Sequence, residues 1–386
     1  MTAPHTLSRF VAPEILSGEG ALRLTGRSAA NLGARRVLVV TDPGVEAAGW
    51  ADAVERSLSE AGLESVRFDE VSPNPRAFQS AKGAARYAAD GCNAIVAVGG
   101  GSVIDCAKGI GIVATNGGEV LAFEGFDQLE RPIPPLVCVA TTAGSAADVS
   151  QFAIINDERT HTKLPLVSKA LVPDVSLLDP LPLLTQQAAL TFASGVDALS
   201  HAIEALYSTG ASALTTTFAT QAVRLSAEHL PRALERPGAL EERSATMEAS
   251  LLAGLAFSNA SLGAGHALAH ALGGRFDGVH GEYNAVLLPH VVRYNAPAAP
   301  GPTRLLGTAL GVPLEGCPDG ELGDRVAGAL ASFLASLGTA RGLGAIGVDR
   351  AALPALAATA LEDPCMATNP RCPAPGELEA LLEAAF

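Results

Sequence analysis

The sequence predicts an α/β domain over residues 1–184, followed by an all-helical domain over residues 185–386. In the first half, short apolar and β-branched runs alternate with helical segments, which is the pattern of a parallel sheet with crossover helices. After residues 175–180 this strand pattern ends, and the chain becomes rich in Ala and Leu at helical spacing. The length of 386 residues fits two or three domains, because a domain takes about 150 residues.

The elements of the first half follow in a regular order. The predicted strands cover residues 35–42, 65–71, 94–100, 135–144 and 175–180. Helices are predicted after the first three of them, and Gly62 stands where a glycine ends the first helix. Residues 152–168 contain two apolar runs around the polar segment DERTHT, which predicts a β-hairpin.

Composition and charge exclude several classes of protein. Hydrophobic residues make up 48% and charged residues 17%, which is typical of a folded chain. The net charge of −14 argues against binding to nucleic acid or to an anionic membrane. We expect no membrane span and no secretory signal, because long apolar runs and a basic start are absent from the sequence. The six cysteines form no C-x-x-C pair, so we expect reduced thiols and a cytoplasmic protein.

Three strand ends carry residues suited to a dinucleotide. The segment Gly99-Gly100-Gly101-Ser102 follows a strand and opens a helix, where glycines and free N–H groups favour a pyrophosphate. Asp42 closes the first strand, where an acidic side chain can bind an adenosine ribose and disfavour a 2′-phosphate. The segment TTAGS, residues 141–145, closes another strand at the same edge of the sheet. Taken singly, the glycines also fit a tight turn, and Asp42 also fits a turn before Pro43.

A second group of residues in the helical half is suited to a metal. Asp197 and His201 are spaced i, i+4 and share a helix face, and His266 and His270 repeat that spacing. His280 follows after a glycine-containing loop, in GVHGEYNA, and we expect the segment HGEYNA to be a loop as well. A lone histidine is more often a core or capping residue, but two spaced pairs with a further histidine favour a ligand set. A carboxylate with several imidazoles suits Fe²⁺ or Zn²⁺.

Six segments together resemble the iron-containing (group III) alcohol dehydrogenase family along nearly the whole chain. They are GGGSVIDCAKGI, TTAGS, DALSHAIEA, NASLGAGHALAH, HGEYNAVLLPHV and DPCMATNPR, and they occur in the family's order. The resemblance implies a dinucleotide-binding α/β domain and a helical domain with the active-site cleft between them, in the dehydroquinate synthase-like architecture. It further implies an NAD(H)-linked, metal-dependent interconversion of a short-chain primary alcohol and its aldehyde, and a homodimer or larger homo-oligomer.

The resemblance also implies roles for particular residues. The family's metal ligands match Asp197, His201, His266 and His280. His270 matches the family's additional histidine beside the nicotinamide, which we expect to relay a proton. The cofactor residues are Asp42 at the adenosine ribose with Asn74 nearby, Gly100, Gly101 and Ser102 at the pyrophosphate, and Thr141, Thr142, Ser145 and Lys163 nearer the nicotinamide. The residues expected to line the substrate pocket are Phe152, Phe257 and Cys365, although both phenylalanines also fit an ordinary core.

The sequence departs from the family pattern in two places. Asp148 stands where many members have Glu, and Glu282 and Tyr283 stand where small residues are frequent. Both changes resemble a subgroup that includes proteins regulating alcohol metabolism. Two alternatives therefore stay open: a regulatory protein that binds NAD and metal with little turnover, and a maleylacetate-reductase-like or polyol-phosphate-dehydrogenase-like enzyme. The metal is expected to be iron, with zinc as the alternative.

Overall fold

The computed structural model describes residues 9–160, 162–374 and 376–386. The strands are β1 Glu14–Ser17, β2 Arg36–Val40, β3 Glu64–Phe68, β4 Ala94–Gly99, β5 Gly125–Phe126, β6 Leu136–Ala140, β7 Phe152–Asp157, β8 Thr162–Val167 and β9 Val175–Leu178. The helices of the first half are α1 Thr25–Asn31, α2 Pro43–Ala47, α3 Trp50–Glu60, α4 Ala77–Ala89 and α5 Gly101–Asn116.

Helices dominate the second half. They are α6 Ala188–Tyr207, α7 Ala213–Glu235, α8 Leu240–Ala260, α9 Ala264–Phe276, α10 His280–Asn295, α11 Pro300–Ala309, α12 Asp319–Ser336, α13 Leu353–Glu362 and α14 Glu377–Ala384. Short 3-10 turns cover Ala21–Leu24, Val120–Phe123, Lys169–Leu171, Leu181–Thr185, Leu343–Ile346, Arg350–Ala352 and Pro364–Thr368. The change from strands to helices falls between Leu178 and Ala188, so we call residues up to 184 the α/β half and the rest the helical half.

The main sheet has six parallel strands in the order β1-β9-β6-β4-β2-β3. The predicted parallel sheet is thus confirmed. Its central strands are apolar along their whole length because helices cover both faces. In β2, Val37, Leu38, Val39 and Val40 are all fully buried. Helix α3 packs Val54 and Leu58 on one face of the sheet, and α5 packs on the other.

A second, smaller sheet has the order β5-β8-β7, and its strand β7 packs against α5. Strands β7 and β8 pair antiparallel, with Phe152 opposite Val167 and Asp157 opposite Thr162, which confirms the predicted hairpin. Residue 161 in its connection lies outside the described residues, as do residues 1–8, on which part of the secretory-signal prediction fell. The strand β5 pairs parallel with β8.

The helical half is built around α6, which is buried along most of its length and packs against α7, α8 and α10. Its small residues allow close approach, since a Cβ on Gly195 would meet the side chain of Leu230 at 2.3 Å. All six cysteines are free. Among the described residues, no helix is long and apolar enough to cross a bilayer.

The segment HGEYNA, predicted as a loop, is helical, and α10 begins at His280 itself. The glycine that suggested a loop serves helix packing instead. A Cβ on Gly281 would lie 2.0 Å from the backbone oxygen of Ala193, so the glycine lets α10 approach α6. Both helices carry predicted metal ligands, and this close approach brings them together.

Candidate active site

A cleft of about 1060 Å³ runs between the two halves. Its wall in the α/β half is formed where the neighbouring strands β2, β4 and β6 end, which is the edge where open parallel sheets bind ligands. Its other wall consists of residues from α6, α8, α9 and the start of α10. Every predicted site residue, including the phenylalanines and Cys365, lines this cleft.

The glycine turn after β4 packs tightly against the segment that follows β6. A Cβ on Gly101 would lie 2.6 Å from Ser145 Oγ, and a Cβ on Gly100 would lie 3.0 Å from the side chain of Thr142. The glycines are therefore required by the contact between two strand ends. Since α5 begins at Gly101, the unpaired N–H groups of its first turn lie at the cleft.

Asp42 has a structural role at the start of α2. Its Oδ1 accepts hydrogen bonds from the backbone N–H groups of Gly44 at 2.8 Å and Val45 at 2.9 Å, which caps that helix. The interpretation of Asp42 as a turn residue is thus correct. The same side chain lines the cleft, so a capping role and a ribose-binding role are compatible.

Asn74 connects the glycine turn to Lys163 and to the helical half. Its backbone N–H donates to Ser102 Oγ at 3.2 Å, and its Oδ1 accepts from Lys163 Nζ at 2.7 Å. Its Nδ2 donates to Asp277 Oδ1 at 2.7 Å. Asn74 thus contacts predicted pyrophosphate and nicotinamide residues, whereas the resemblance implied a place near the adenosine ribose. Burial lowers the pKa of Lys163 to about 8.

The four predicted metal ligands converge from three helices. Asp197 and His201 lie one turn apart on α6, and α9 and α10 contribute His266 and His280. Ligand-type atoms of Asp197, His201 and His266 lie within 4.8 Å of one another. Asp197 Oδ1 lies 3.7 Å from His266 Nε2 and 3.5 Å from His280 Nε2.

Hydrogen bonding and charge at this cluster fit a divalent cation. Three enclosed imidazole nitrogens have no hydrogen-bond partner, namely His201 Nδ1, His266 Nε2 and His280 Nδ1. Buried polar atoms are seldom left unpaired, so their concentration here indicates a site for a further ligand. Burial opposes a charge on His266, but the carboxylates of Asp197 and Glu204 outweigh it and raise its pKa to about 9. Burial instead lowers the pKa of His201 to about 4 and that of His280 well below its usual value, so these two rings are neutral and free to act as ligands, and only the position of His266 favours positive charge.

Two residues that support these ligands were not found from the sequence. The carboxylate of Glu204 accepts a hydrogen bond from His266 Nδ1 at 2.5 Å, and Asn284 Nδ2 donates to Asp197 Oδ1 at 2.9 Å. A signal existed in each case. Glu204 follows His201 by three residues on α6, and Asn284 follows His280 by four residues on α10, so each shares a helix face with a ligand.

His270 lies beside the ligand cluster and has a carboxylate partner of its own. Its Nδ1 is 2.8 Å from Asp363 Oδ2, and its ring centroid is 5.5 Å from that of His280. Asp363 also accepts from the backbone N–H of Cys365 at 2.8 Å. Burial and this carboxylate raise the pKa of the Cys365 thiol well above its usual value, so the thiol stays protonated. Asp363 was not among the predicted site residues, although it lies in the motif DPCMATNPR.

The two pocket phenylalanines are both buried and both line the cleft. Their ring centroids lie 5.7 Å apart, and Phe257 stacks on His201 at 4.2 Å. They therefore belong to the hydrophobic core and to the cleft wall at once. Phe257 additionally holds a predicted metal ligand from one face.

The departures from the family pattern lie away from the cleft wall. Asp148 is buried and accepts a hydrogen bond from Ser176 Oγ at 2.6 Å. Tyr283 is buried as well, and a Cβ on Gly278 would lie 2.2 Å from its hydroxyl oxygen. Neither side chain lines the cleft beside the ligand cluster.

A parallel sheet with a phosphate-type turn, facing a carboxylate and imidazole cluster, fits the class of metal-dependent, dinucleotide-linked oxidoreductases. Comparison with known families makes this specific. A model described as "Iron-containing alcohol dehydrogenase" matches residues 12–180, and one described as "Fe-containing alcohol dehydrogenase family, C-terminal" matches residues 191–386. The chain belongs to the iron-containing alcohol dehydrogenase family, as its motifs indicated.

Individual relatives extend along the whole chain. A 1,3-propanediol dehydrogenase of Klebsiella pneumoniae is 40% identical over 380 residues, covering 98% of both chains. An NAD-dependent methanol dehydrogenase of Bacillus methanolicus is 35% identical over 362 residues, covering 94% of this chain and 95% of that one. A crystal structure of a 1,3-propanediol oxidoreductase superimposes with a TM-score of 0.95 at 38% identity, covering 99% and 100%. The family confirms the predicted cofactors, NAD(H) and a divalent metal.

Proposed function

We propose that this protein is a metal-dependent, NAD(H)-linked oxidoreductase that interconverts a short-chain primary alcohol and its aldehyde. The observation that carries the proposal is the cluster of Asp197 with three histidines, each of which has an unpartnered ring nitrogen, in the same cleft as the glycine turn at the start of α5. The relatives support it, because their names include a propanediol dehydrogenase and a methanol dehydrogenase.

The chemistry is divided between the cofactors and the chain. Asp197, His201, His266 and His280 would hold a divalent metal, which would supply Lewis acidity toward the substrate oxygen, and NAD(H) would supply or accept the hydride. Oxidation of the alcohol transfers a hydride to the nicotinamide and releases a proton, and the reverse reaction takes up both. His270 is placed to move that proton, since Asp363 binds its Nδ1 and leaves Nε2 as the exchanging atom.

The cofactor is held mainly by strand ends. Asp42 binds the adenosine ribose, and the first turn of α5 with Gly100, Gly101 and Ser102 binds the pyrophosphate. On the nicotinamide side, the contacts come from Asn74, Thr141, Thr142, Ser145 and Lys163. Because Asp42 is acidic, it disfavours the 2′-phosphate of NADP.

The substrate site is small and largely apolar. Phe152, Phe257 and Cys365 surround the space beside the ligand cluster, and a narrow apolar wall suits a short unbranched chain. Among the described residues of the cleft wall, Lys163 is the one Lys or Arg, and it is already bound to Asn74. This argues against the acidic substrates of a maleylacetate-reductase-like or polyol-phosphate-dehydrogenase-like enzyme.

We further propose a division into domains at residues 184 and 185, iron in preference to zinc, a homodimer or larger homo-oligomer, and a cytoplasmic location. The boundary is supported by the change from strands to helices. Iron is supported by the family, although a mixed carboxylate and imidazole set also suits zinc.

An activity panel tests the proposal. NADH oxidation is followed over short-chain aldehydes after Fe²⁺ or Zn²⁺ has been restored, and metal content is determined in protein purified without chelator. We expect turnover that is lost in Asp197→Ala and His266→Ala together with the metal. Cofactor binding without turnover across the whole panel would instead support the regulatory alternative.

A further inference from the structure

We propose that Glu204 is a positioning residue that fixes the tautomer and orientation of His266 and so sets the affinity of the metal site. The inference rests on the proposed function, because it takes His266 as a ligand. It concerns a residue with no assigned role, on the same face of α6 as Asp197 and His201.

The hydrogen bonds of Glu204 determine where the proton of His266 lies. The buried carboxylate accepts from the backbone N–H groups of Gly265 at 2.7 Å and His266 at 2.9 Å, and from His266 Nδ1 at 2.5 Å. An ionised carboxylate can only accept, so Nδ1 must carry a proton. In the neutral ring, Nε2 then keeps its lone pair, and this is the nitrogen without a partner, 3.7 Å from Asp197 Oδ1.

The carboxylate is also held rigidly. A Cβ on either Gly263 or Gly265 would lie 3.0 Å from Glu204 Oε1, so both glycines allow the start of α9 to close around it. Two of its three hydrogen bonds cap α9, and an acidic group there also complements the helix dipole. A cap needs only these backbone contacts. The third hydrogen bond, to the imidazole, is the one that orients a metal ligand.

Two substitutions test the orienting role, and the tautomer of His266 separates it from the capping role. Glu204→Leu removes every acceptor, so the tautomer of His266 is no longer fixed. Glu204→Gln keeps one acceptor oxygen for the imidazole but loses the charge that makes the ring a better ligand. Carboxylate partners of ligating histidines typically contribute about 10- to 100-fold in metal affinity. We expect Zn²⁺ binding to weaken by about that factor in Glu204→Leu and by about three- to tenfold in Glu204→Gln.

The chain offers a matched control in Glu242. This buried carboxylate also accepts from a histidine, His229 Nδ1 at 2.7 Å, and it lies in the first turn of α8, where it complements the helix dipole much as Glu204 does at the start of α9. It does not line the cleft. Glu242→Leu and Glu242→Gln should lower the melting temperature of the metal-free protein and leave Zn²⁺ affinity unchanged.

The experiment measures Zn²⁺ affinity by competition with a chromophoric chelator, well below the melting temperature of each metal-free variant. The tautomer of His266 is read in parallel from side-chain ¹⁵N shifts of the metal-free protein, at a pH above the pKa of this ring, where it is neutral and has a defined tautomer; the shifts are assigned with His266→Gln. A shift away from the Nδ1–H tautomer in Glu204→Leu, with graded loss of affinity in both variants, supports the inference. Affinities within twofold of wild type for both variants would overturn it. If Glu204→Leu does not fold, Glu204→Gln decides alone.

His266→Ala separates this inference from the proposed function. If His266→Ala binds Zn²⁺ much more weakly than wild type but the Glu204 variants do not, the orienting role is wrong and the metal site stands. If wild type and His266→Ala bind Zn²⁺ equally, the proposed metal site fails, and the role of Glu204 fails with it.

Discussion

Asn74 Nδ2 donates a hydrogen bond to Asp277 Oδ1 at 2.7 Å, and this bond joins the two halves of the molecule across the cleft. Arg76 adds a second donor to Asp277 at 2.9 Å. Asn74 and Asp277 both have left-handed backbones, with φ of 54° and 52°, which Asn and Asp tolerate better than most residues. Asp277 ends α9 three residues before His280, so the contact connects a cofactor-side loop to a proposed metal ligand.

Removing the contacts of Asp277 with Asn74 and Arg76 should weaken cofactor binding. In Asp277→Ala we expect NADH to dissociate about two- to fivefold faster, since a hydrogen bond contributes about 1 kcal/mol and the side chain of Asp277 is 53% exposed. Stopped-flow fluorescence of NADH measures the rate. Asp324→Ala, which removes an exposed ion pair with Arg293, is the control and should leave the rate unchanged. An unaltered rate in Asp277→Ala would show that the contact does not restrain the cofactor.

The two roles of Asp42, capping α2 and binding the adenosine ribose, can be separated by substitution. Asp42→Asn keeps a good helix cap but removes the charge, whereas Asp42→Ala removes both. We expect both variants to gain activity with NADPH relative to NADH, because the repulsion of the 2′-phosphate is lost. Only Asp42→Ala should also lose about 1 kcal/mol of unfolding free energy.

The two effects are measured independently, by kcat/KM for each cofactor and by denaturant unfolding. The ribose assignment would be wrong if neither variant changed the ratio of kcat/KM between NADPH and NADH. Equal stability of Asp42→Ala and Asp42→Asn would instead show that the cap of α2 contributes little.

The sequence predicted the sheet well because its signal is local. Buried strands such as β2 and β4 are continuous apolar runs between turns, and such runs need no knowledge of their neighbours. The edge strand β1 was missed because it is not a buried apolar run: both of its end residues are exposed and the two between them are half-buried. Gly281 was misinterpreted because a glycine that serves close helix packing looks the same in sequence as a glycine in a loop.

The residues of the candidate site, too, could be predicted from the sequence only where their pattern is local. Two pairs spaced i, i+4 could be found because each pair lies on one helix. The partners that hold these residues come from far along the chain: Glu204 precedes His266 by 62 residues, and Asp363 follows His270 by 93. Such pairings depend on how α6, α9 and the turn after α13 pack together. That packing is a tertiary property with no periodic signal.

Lys163 predicts a pH dependence of cofactor preference. Burial lowers its pKa to about 8, against the opposing effect of Asp277, Asp197 and Asp105, so it is cationic below that pH and neutral above it. In the position that we propose for Lys163, a cation beside the nicotinamide repels the positive ring of NAD⁺ more than the neutral ring of NADH. The preference for NADH should therefore be strongest below pH 8 and fall as the pH rises through 8, by about three- to tenfold.

The measurement is the ratio of the dissociation constants of NAD⁺ and NADH. Both constants are determined by titration from roughly pH 6.5 to 9.5, in half-unit steps around the pKa of Lys163. Lys163→Met should give a ratio that does not change with pH across this range. A ratio that also changes in Lys163→Met would assign the dependence to another group.

The contact between Phe152 and Phe257 predicts that the two rings control different properties. Phe152 touches the ring of Phe257 but, unlike it, does not stack on His201, so Phe152→Leu should enlarge the pocket without disturbing the ligand. We expect kcat/KM to shift toward longer linear aldehydes by about tenfold, the effect of one or two methylenes in an apolar pocket, with Zn²⁺ affinity within twofold of wild type. Phe257→Leu removes the stacked ring and should weaken Zn²⁺ binding as well.

Phe78→Leu, at an exposed position, controls for loss of a phenyl ring elsewhere. If Phe152→Leu left the chain-length profile unchanged, this ring would be a core residue with no part in substrate selection.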